Sequence, residues 1–331
     1  MRTLTTLVRA SCAATLATGA LLAQPALAQG EANFPSKTVR IVISFVPGGA
    51  GDFLSRQVQQ RLQMQEKYKN GVIVENKPGA SGTIGADAVL RAPADGHTIL
   101  VTNQLLVQAP HLLKSVPYDP IRDFTPVTDL GGAPLILAVN ASLMKAKTLP
   151  EFVAEVRAKP NTYSYASVGI ASMGHLYGAQ LKDVAGIDLM HVPYKGSAAV
   201  VGALVGGEVQ SAFSDYPTMK PHIESGKLRM LAVSRPYAPT PKLPTFASQG
   251  YQGLESYSWI GMFVSSKTPK AVVQQLAADV TAAIRAPEVQ AKLNEVGMET
   301  GGMPQQQFAE MVATDSVRWA EIMKKAQIKP E

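Results

Sequence analysis

The chain has 331 residues, 46% of them hydrophobic, and a formal net charge of +6. This length suits about two domains, and the positive charge is spread along the chain rather than clustered, which argues against a nucleic-acid-binding protein. The sequence has one cysteine and no histidine spacing typical of a metal site, such as HExxH, so we expect no metal and no cofactor.

The first 28 residues have the features of a secretory signal peptide. Arg2 and Arg9 precede a short run of small and apolar residues, and Ala26-Leu27-Ala28 fits the small-x-small cleavage rule. The apolar run is too short to span a bilayer comfortably, and Cys12 lies upstream of most of it, where a lipidated cysteine would not lie. We therefore expect export to the periplasm with cleavage after Ala28.

The segment 39–56 predicts a strand, a turn and a helix in direct succession. Its first part is a nearly continuous apolar run, typical of a strand buried on both faces of a parallel sheet. Pro47-Gly48-Gly49-Ala50-Gly51 then breaks the strand, and Asp52 is expected to cap the helix. Such a turn is a ready anion site, because helix N–H groups and the dipole point into it. A tight connection without function explains this turn alone equally well.

The alternation of strand and helix continues along the first half of the chain. Strands are predicted at 71–74 and 98–102, the latter ending at Asn103, with a helix at 83–91 after a second glycine-rich connection. Residues 117–126 are interpreted as a proline-punctuated connection. This order predicts an α/β fold that binds ligands at the carboxyl ends of its strands.

The same alternation recurs in the second half. Strands are predicted at 135–139, 163–166, 189–192, 209–213 and 227–234, followed by one at 257–264 and a helical tail. The strand at 163–166 leads into a small-residue turn, 167–174, after which His175 opens a helix. Two sets of βα units, each with such a turn, suggest two lobes that face one cleft and close by a hinge. We expect lobe 1 to comprise 29–130 and 257–331, and lobe 2 to comprise 131–256.

An enzyme is the alternative that the sequence must exclude. Ser172 and His175 lie three residues apart, and Asp52, Asp95 or Asp215 completes a triad on paper. There is no GxSxG motif around Ser172, and a serine and a histidine at this spacing commonly cap a helix. We therefore expect no catalytic residue.

Four segments resemble the signature segments of one family. They read VPGGAGDFLSR, VENKPGASGTIGADAVLRAPADGHTIL, PYDPIRDFTPV and HVPYKGSAAV, in family order and spacing over the whole chain after the signal peptide. The family is that of the periplasmic substrate-binding proteins of tripartite tricarboxylate transporters, also called the Bug family.

The resemblance implies a type II, Venus-flytrap binding protein, in which each lobe is a mostly parallel sheet flanked by helices. It implies a monomer that captures a small organic carboxylate and delivers it to a membrane permease of one large and one small subunit. In the family the carboxylate is held mainly by backbone N–H groups and ordered waters, in the loop matching 48–52 and in the facing loop, here 167–175. An exported sensor subunit that presents a ligand to a membrane receptor is the alternative, and a serine hydrolase is a distant third.

The turns and strand ends of both halves supply the expected ligand contacts. For Lys195, a contact with the ligand and a solvated loop lysine are equally good interpretations. Two departures from the family pattern, Val168 and Ala171 in place of a small polar residue and a glycine, make the facing loop more apolar. The residues expected to bind the ligand are Phe45, Gly48, Gly49, Ala50, Gly51, Asp52, Asn103, Ser167, Gly169, Ala171, Ser172, His175, Tyr194, Lys195, Gly196 and Asp215.

Overall fold

The computed structural model describes residues 34–255, 257–325 and 328. The expected signal peptide, 1–28, lies outside the described residues. The strands are β1 (Val39–Ile43), β2 (Val72–Asn76), β3 (Thr98–Asn103), β4 (Phe124–Ala133), β5 (Ile136–Asn140), β6 (Ser164–Ser167), β7 (Met190–Pro193), β8 (Ser211–Ser214), β9 (Leu228–Val233), β10 (Ser258–Ser265) and β11 (Glu299–Thr300). The helices are α1 (Ala50–Gln63), α2 (Thr83–Leu90), α3 (Leu105–Leu112), α4 (Leu149–Arg157), α5 (Met173–Ala185), α6 (Ser197–Gly206), α7 (Tyr216–Glu224), α8 (Lys270–Ile284), α9 (Pro287–Glu295) and α10 (Gln305–Lys325). None of these helices is long and apolar enough to span a bilayer.

The strands form two sheets. The first has the order β11-β4-β10-β3-β1-β2, and the second has the order β7-β6-β8-β5-β9. The chain passes from the first sheet to the second through residues 134–135 and returns through residues 234–257. The expected α/β fold with two sheets is therefore confirmed.

Each sheet is mixed rather than mostly parallel. In the first sheet β1 is parallel to β2 and β3, whereas the pairs β3-β10, β10-β4 and β4-β11 are antiparallel. In the second sheet β6 is parallel to β7 and β8, whereas β5 is antiparallel to both neighbours. Parallel pairs follow from the helical crossovers of the βα units. The antiparallel strands β4, β5, β9 and β10 flank the two passages between the sheets.

The sequence analysis missed three elements that contain a proline. Strand β4 runs through Pro126, which pairs with Phe263 beside a register shift, a position where a strand tolerates proline. Helices α3 and α7 contain Pro110 and Pro221 in their interiors. Pro110 has no N–H for the carbonyl of Leu106, and the Tyr118 hydroxyl donates to that carbonyl instead, at 3.2 Å.

The C-terminal helix α10 joins the two halves of the core. It packs against α3 and β4 on one side and α5 on the other. Its buried Trp319 lies 6.5 Å from Tyr177 of α5, whose ring lies in turn 6.1 Å from Phe213 of β8, measured between ring centroids. One apolar cluster therefore extends from the first sheet to the second.

Candidate functional site

A cavity of about 430 Å³ lies between the two sheets. Residues at the start of α3 and Ser258 of β10 line it on the side of the first sheet, and the start of α5 and the end of β8 line it on the side of the second. Its walls are formed by Ser81, Asn103, Gln104, Leu105, Gln108, Leu112, Ala133, Pro134, Leu135, Val168, Ile170, Ala171, Ser172, Met173, Gly174, Ser197, Phe213, Ser214, Asp215 and Ser258.

Four helices begin at this cavity. Gln104, Ser172 and Asp215 are the N-caps of α3, α5 and α7, and Ser197 is the first residue of α6. The first N–H groups of a helix have no partner within it, and the helix dipole places its positive end there. Among the wall residues, which are all described, none is lysine or arginine and the one charged side chain is Asp215. The cavity can therefore attract an anion through backbone groups but not through a side-chain cation.

A strained turn brings Ser81 to the cavity. Four consecutive residues, 79–82, have positive φ, with values of 122°, 45°, 52° and 88°. The Gly82 N–H donates to the Gly79 carbonyl at 2.9 Å, and the Thr83 hydroxyl donates to the Ala80 carbonyl at 2.9 Å. Left-handed backbone at Ala80 and Ser81 costs free energy, and such strain concentrates at functional sites. The sequence marked this glycine-rich connection, but the expected site did not include it.

The loop before α5 is held by its own side chains. Ser172 Oγ accepts from the His175 N–H at 3.3 Å and donates to the Gly169 carbonyl at 2.7 Å. The Ala171 N–H donates to His175 Nδ1 at 2.9 Å, and Ala171 has a left-handed φ of 57°. Ser172 therefore acts as a helix cap, and His175 fixes the loop through its ring. The hydrogen bonds of these two side chains are those of the capping interpretation rather than of a catalytic dyad.

A stacked pair of histidines supports the same loop from behind. The rings of His175 and His191 are 3.9 Å apart with an interplanar angle of 10°, and His191 Nε2 lies 2.7 Å from Ser167 Oγ. Ser172 Oγ lies 3.1 Å from Ser167 Oγ. Ser167 is fully buried and does not line the cavity, so its short contact with His191 is not open to a substrate there.

Burial favours the neutral form of both rings. It lowers the pKa of His191 to about 4, with further contributions from His175 and Lys182. Burial also lowers the pKa of His175, and Lys182 adds to this shift. A neutral His175 leaves Nδ1 free to accept the Ala171 N–H, as observed.

The turn before α1 differs from its expected role. Helix α1 begins at Ala50 with Gly49 as its N-cap, so the prediction that Asp52 is the N-cap is wrong. Asp52 is the third helical residue, and its carboxylate reaches back to accept the Gly48 N–H at 3.1 Å. It also accepts from Arg56 Nε and Nη2 at 3.0 Å each and from Asn76 Nδ2 at 3.1 Å. The hydrogen bonds from Arg56 lower the pKa of Asp52 although its burial opposes them.

Only some of the residues expected to bind the ligand line the cavity. Asn103, Ala171, Ser172 and Asp215 line it. The expected residues outside its walls are Phe45, Gly48, Gly49, Ala50, Gly51, Asp52, Ser167, Gly169, His175, Tyr194, Lys195 and Gly196.

Sequence reasoning missed the part of the wall that α3 forms. Gln104, Gln108 and Leu112 lie at intervals of four residues and so share one helical face. The available signal was Asn103 at the end of a strand, whose Oδ1 accepts the Leu105 N–H at 3.0 Å and starts this helix. Without a predicted helix, nothing placed these residues at the cleft.

Two mixed sheets with flanking helices and a cleft between them define a two-lobed periplasmic binding protein of the Venus-flytrap type. Solved structures support this class. The structure of the periplasmic binding protein BugD has a TM-score of 0.69 and 30% sequence identity, covering 90% of this chain and 100% of that chain. The structure of R. palustris Rpa4515 with adipate has a TM-score of 0.72 and 32% sequence identity, covering 90% of this chain and 100% of that chain. MatC from Rhodopseudomonas palustris with bound malate has a TM-score of 0.68 and 28% identity, covering 87% of this chain and 99% of that chain.

The family follows from the sequence comparison. Residues 54–328 match the family described as tripartite tricarboxylate transporter family receptor. BugT of Bordetella pertussis is 29% identical over 301 residues, which are 90% of this chain and 91% of that protein. The chain belongs to the tripartite tricarboxylate transporter receptor family, as the four signature segments indicated.

Proposed function

We propose that this protein captures a small organic carboxylate in the cleft and delivers it to a membrane permease of one large and one small subunit. The observation that supports this function is the meeting of four helix starts at one cavity whose walls carry no cationic side chain among the described residues. The relatives described with adipate and with malate support a carboxylate as the ligand class. We propose that the protein acts as a monomer and catalyses no reaction.

The carboxylate is expected at the starts of α3, α5 and α6, away from Asp215. The Asp215 carboxylate is engaged with its own helix, since Oδ1 accepts from the Thr218 N–H at 3.0 Å and from the Thr218 hydroxyl at 2.6 Å. A ligand carboxylate beside it would meet a like charge. Backbone N–H groups at the other helix starts offer charge-assisted hydrogen bonds instead.

Closure of the two lobes is part of the proposal. The lobes, 29–130 with 257–331 and 131–256, would pivot at the two passages between the sheets, 134–135 and 234–257. Helix α10 packs on elements of both lobes, so we place the pivot on its side of the cleft. The turn 48–52 lies outside the cavity, and its contact with the ligand stays a prediction that requires this closure.

Thermal-shift measurements of the mature protein against a panel of carboxylates test the function. A ligand that binds only the folded state raises the melting temperature, and the stabilisation grows with the logarithm of its concentration relative to its Kd. For the best ligand, calorimetry should show that the acid binds at least about 10-fold tighter than its primary amide, because the amide forfeits the charge-assisted hydrogen bonds. A panel without a single shift, or an amide that binds as tightly as the acid, contradicts the proposal.

Delivery and export have their own tests. Deletion of the gene should abolish uptake of the same carboxylate, and unchanged uptake contradicts delivery. We also propose cleavage after Ala28, so mass spectrometry of the periplasmic fraction should show a chain that begins at Gln29 without a lipid. Recovery of the protein in membranes with a modified Cys12 contradicts that cleavage.

A further inference from the structure

One face of α3 runs along the cavity from its polar to its apolar part. Gln104, Gln108 and Leu112 share this face, and all three line the cavity. At a rise of 1.5 Å per residue, Gln108 lies about 6 Å and Leu112 about 12 Å along the helix axis from Gln104. The three side chains therefore lie at increasing distances from the helix start at which we place the carboxylate.

Gln108 keeps an unused hydrogen-bond donor at this wall. Its side chain is only 2% exposed, and its Nε2 has no hydrogen-bond partner in the described part of the chain. Gln104, one turn earlier, is buried to the same degree, but its Nε2 donates to the Tyr257 carbonyl at 2.7 Å. Buried polar groups are nearly always paired, because leaving one unpaired is costly. A buried amide that lacks a partner beside a ligand cavity is a candidate for a ligand contact.

The lining of the cavity favours a neutral partner for Gln108. Its walls include Leu112, Leu135, Ile170 and Phe213, which suit an apolar ligand body. Within the described lining, a second ligand carboxylate would find no cationic side chain and would share the cavity with Asp215. Desolvating a second charge without a counter-charge is unfavourable. A hydroxyl or carbonyl oxygen meets the same amide without that cost.

We propose that the ligand is a monocarboxylate with an apolar body and a neutral hydrogen-bond acceptor about 6 Å from the carboxylate, and that the Gln108 side chain turns into the cavity so that its buried Nε2 donates to this acceptor. This inference rests on the proposed function, because it takes the position of the carboxylate from it. It adds the ligand class and names Gln108 as a residue that determines specificity.

Two matched sets of acids test the ligand class by calorimetry on the mature protein. One set is hexanoate, 6-hydroxyhexanoate and adipate, and the other is benzoate, 4-hydroxybenzoate and terephthalate. In at least one set the hydroxy acid should bind about 10-fold or more tightly than both the plain acid and the dicarboxylate, because only it satisfies the amide without a second charge. The inference is overturned if the hydroxy acid is preferred in neither set, including the case in which the dicarboxylate binds most tightly in both.

Substitution of Gln108 tests its role. Q108L should weaken the preferred hydroxy acid about 10-fold while leaving the plain acid of the same set unchanged or tighter. Its melting temperature should not fall, because Nε2 has no hydrogen bond to lose within the described part of the chain. The control Q60L, on the exposed face of α1, should leave all affinities unchanged. A Q108L protein that keeps the wild-type preference overturns the role of Gln108.

The results distinguish a failure of the proposed function from a failure of this inference. If no carboxylate of any kind binds, the proposed function fails and this inference fails with it. If carboxylates bind but the hydroxyl group brings no gain in either set, the proposed function stands and this inference alone is overturned.

Discussion

The turn before α1 and the turn before α5 look alike in sequence, because each joins a buried strand to a helix through small residues. In the structure they differ. Residues 46–48 are exposed and lie outside the cavity, and the Asp52 carboxylate ties this turn to α1 and β2. The turn before α5 presents Ala171 and Ser172 to the cavity and is supported by two stacked histidines. A strand–turn–helix pattern thus predicts a local anion site, but only tertiary packing decides whether that site faces a cleft.

The largest effect is expected at Gly51. A Cβ at this position would overlap the Phe45 ring, whereas a Cβ at Gly49 would have only the Val46 carbonyl oxygen nearby, at 3.7 Å. Gly51→Ala should therefore lower the free energy of unfolding by about 2–3 kcal/mol through overpacking. Gly49→Ala is the comparison variant and should lose less, about 0.5–1 kcal/mol, because Gly49 is the N-cap of α1 and alanine caps a helix less well than glycine. Urea denaturation of both variants checks this, and equal stability would show that the turn before α1 is not packed as described.

Loss of the Asp52 carboxylate should have the next largest effect. Asp52→Ala removes hydrogen bonds from Gly48, Arg56 and Asn76, so we expect a loss of about 1–2 kcal/mol, moderated by the solvent exposure of Arg56. Asp52→Asn should lose less, because an amide oxygen still accepts from the Gly48 N–H. Ligand affinity should change little in Asp52→Asn, since the Asp52 carboxylate is engaged by Gly48, Arg56 and Asn76 rather than by the cavity. A large loss of affinity in Asp52→Asn would show that this carboxylate itself contacts the ligand.

The histidine pair predicts a pH dependence for the turn before α5. In the folded protein burial lowers the pKa of His191 from 6.5 to about 4 and also lowers the pKa of His175. Between pH 6.5 and about 4 the unfolded chain therefore binds more protons, so the free energy of unfolding falls as the pH drops through this window. The stabilising contribution is complete above pH 6.5.

Two variants separate this effect from other titrating groups. His191→Gln and His175→Asn keep a polar atom near the positions of Nε2 and Nδ1 but do not titrate. Each should lose less stability than wild type between pH 7 and pH 5, measured by urea denaturation at both values. If wild type and both variants lose the same free energy of unfolding between these pH values, the histidine pair is not the cause of the pH dependence.

The smallest effect is expected at Ala171. Its φ of 57° is a left-handed conformation that an alanine adopts only at a cost and a glycine adopts freely. Ala171→Gly should therefore raise the free energy of unfolding by about 0.5–1 kcal/mol. Ala179→Gly, in the interior of α5, is the control and should lower it by roughly the same amount. An Ala171→Gly protein that is less stable than wild type would contradict the claim that the backbone is strained at Ala171.

Local pattern was enough to predict much of the fold. Alternating apolar runs placed β1, β2 and β3 and the strands of the second sheet, because strand burial and helix starts leave local signals. Local pattern failed where an element contains a proline, as in α3, α7 and β4. In α3 the Tyr118 hydroxyl replaces the N–H that Pro110 lacks, and such a contact with a distant residue is not visible in local sequence. The mixed pairing of each sheet was missed for a related reason, because β10 returns from more than a hundred residues away.

The candidate site was less predictable than the fold. Asn103 is the last residue of β3, Asp215 follows β8 directly, and Ala171 and Ser172 lie in the turn between β6 and α5; all four line the cavity. Gln108 and Ser81 reach it through the packing of α3 and through a strained turn. The local signals, Asn103 and the glycine-rich connection, did not show that these two elements face the cavity. The unpaired state of the Gln108 amide is a property of its neighbours, which only the folded chain defines.

A crystal structure of the mature protein with its best carboxylate ligand tests the central claim most directly. We expect the carboxylate oxygens to lie about 3 Å from backbone N–H groups at the starts of α3, α5 or α6, with no lysine or arginine side chain in contact. A carboxylate held by Lys195, or one bound to the turn 48–52 without contact to those three helix starts, would contradict it.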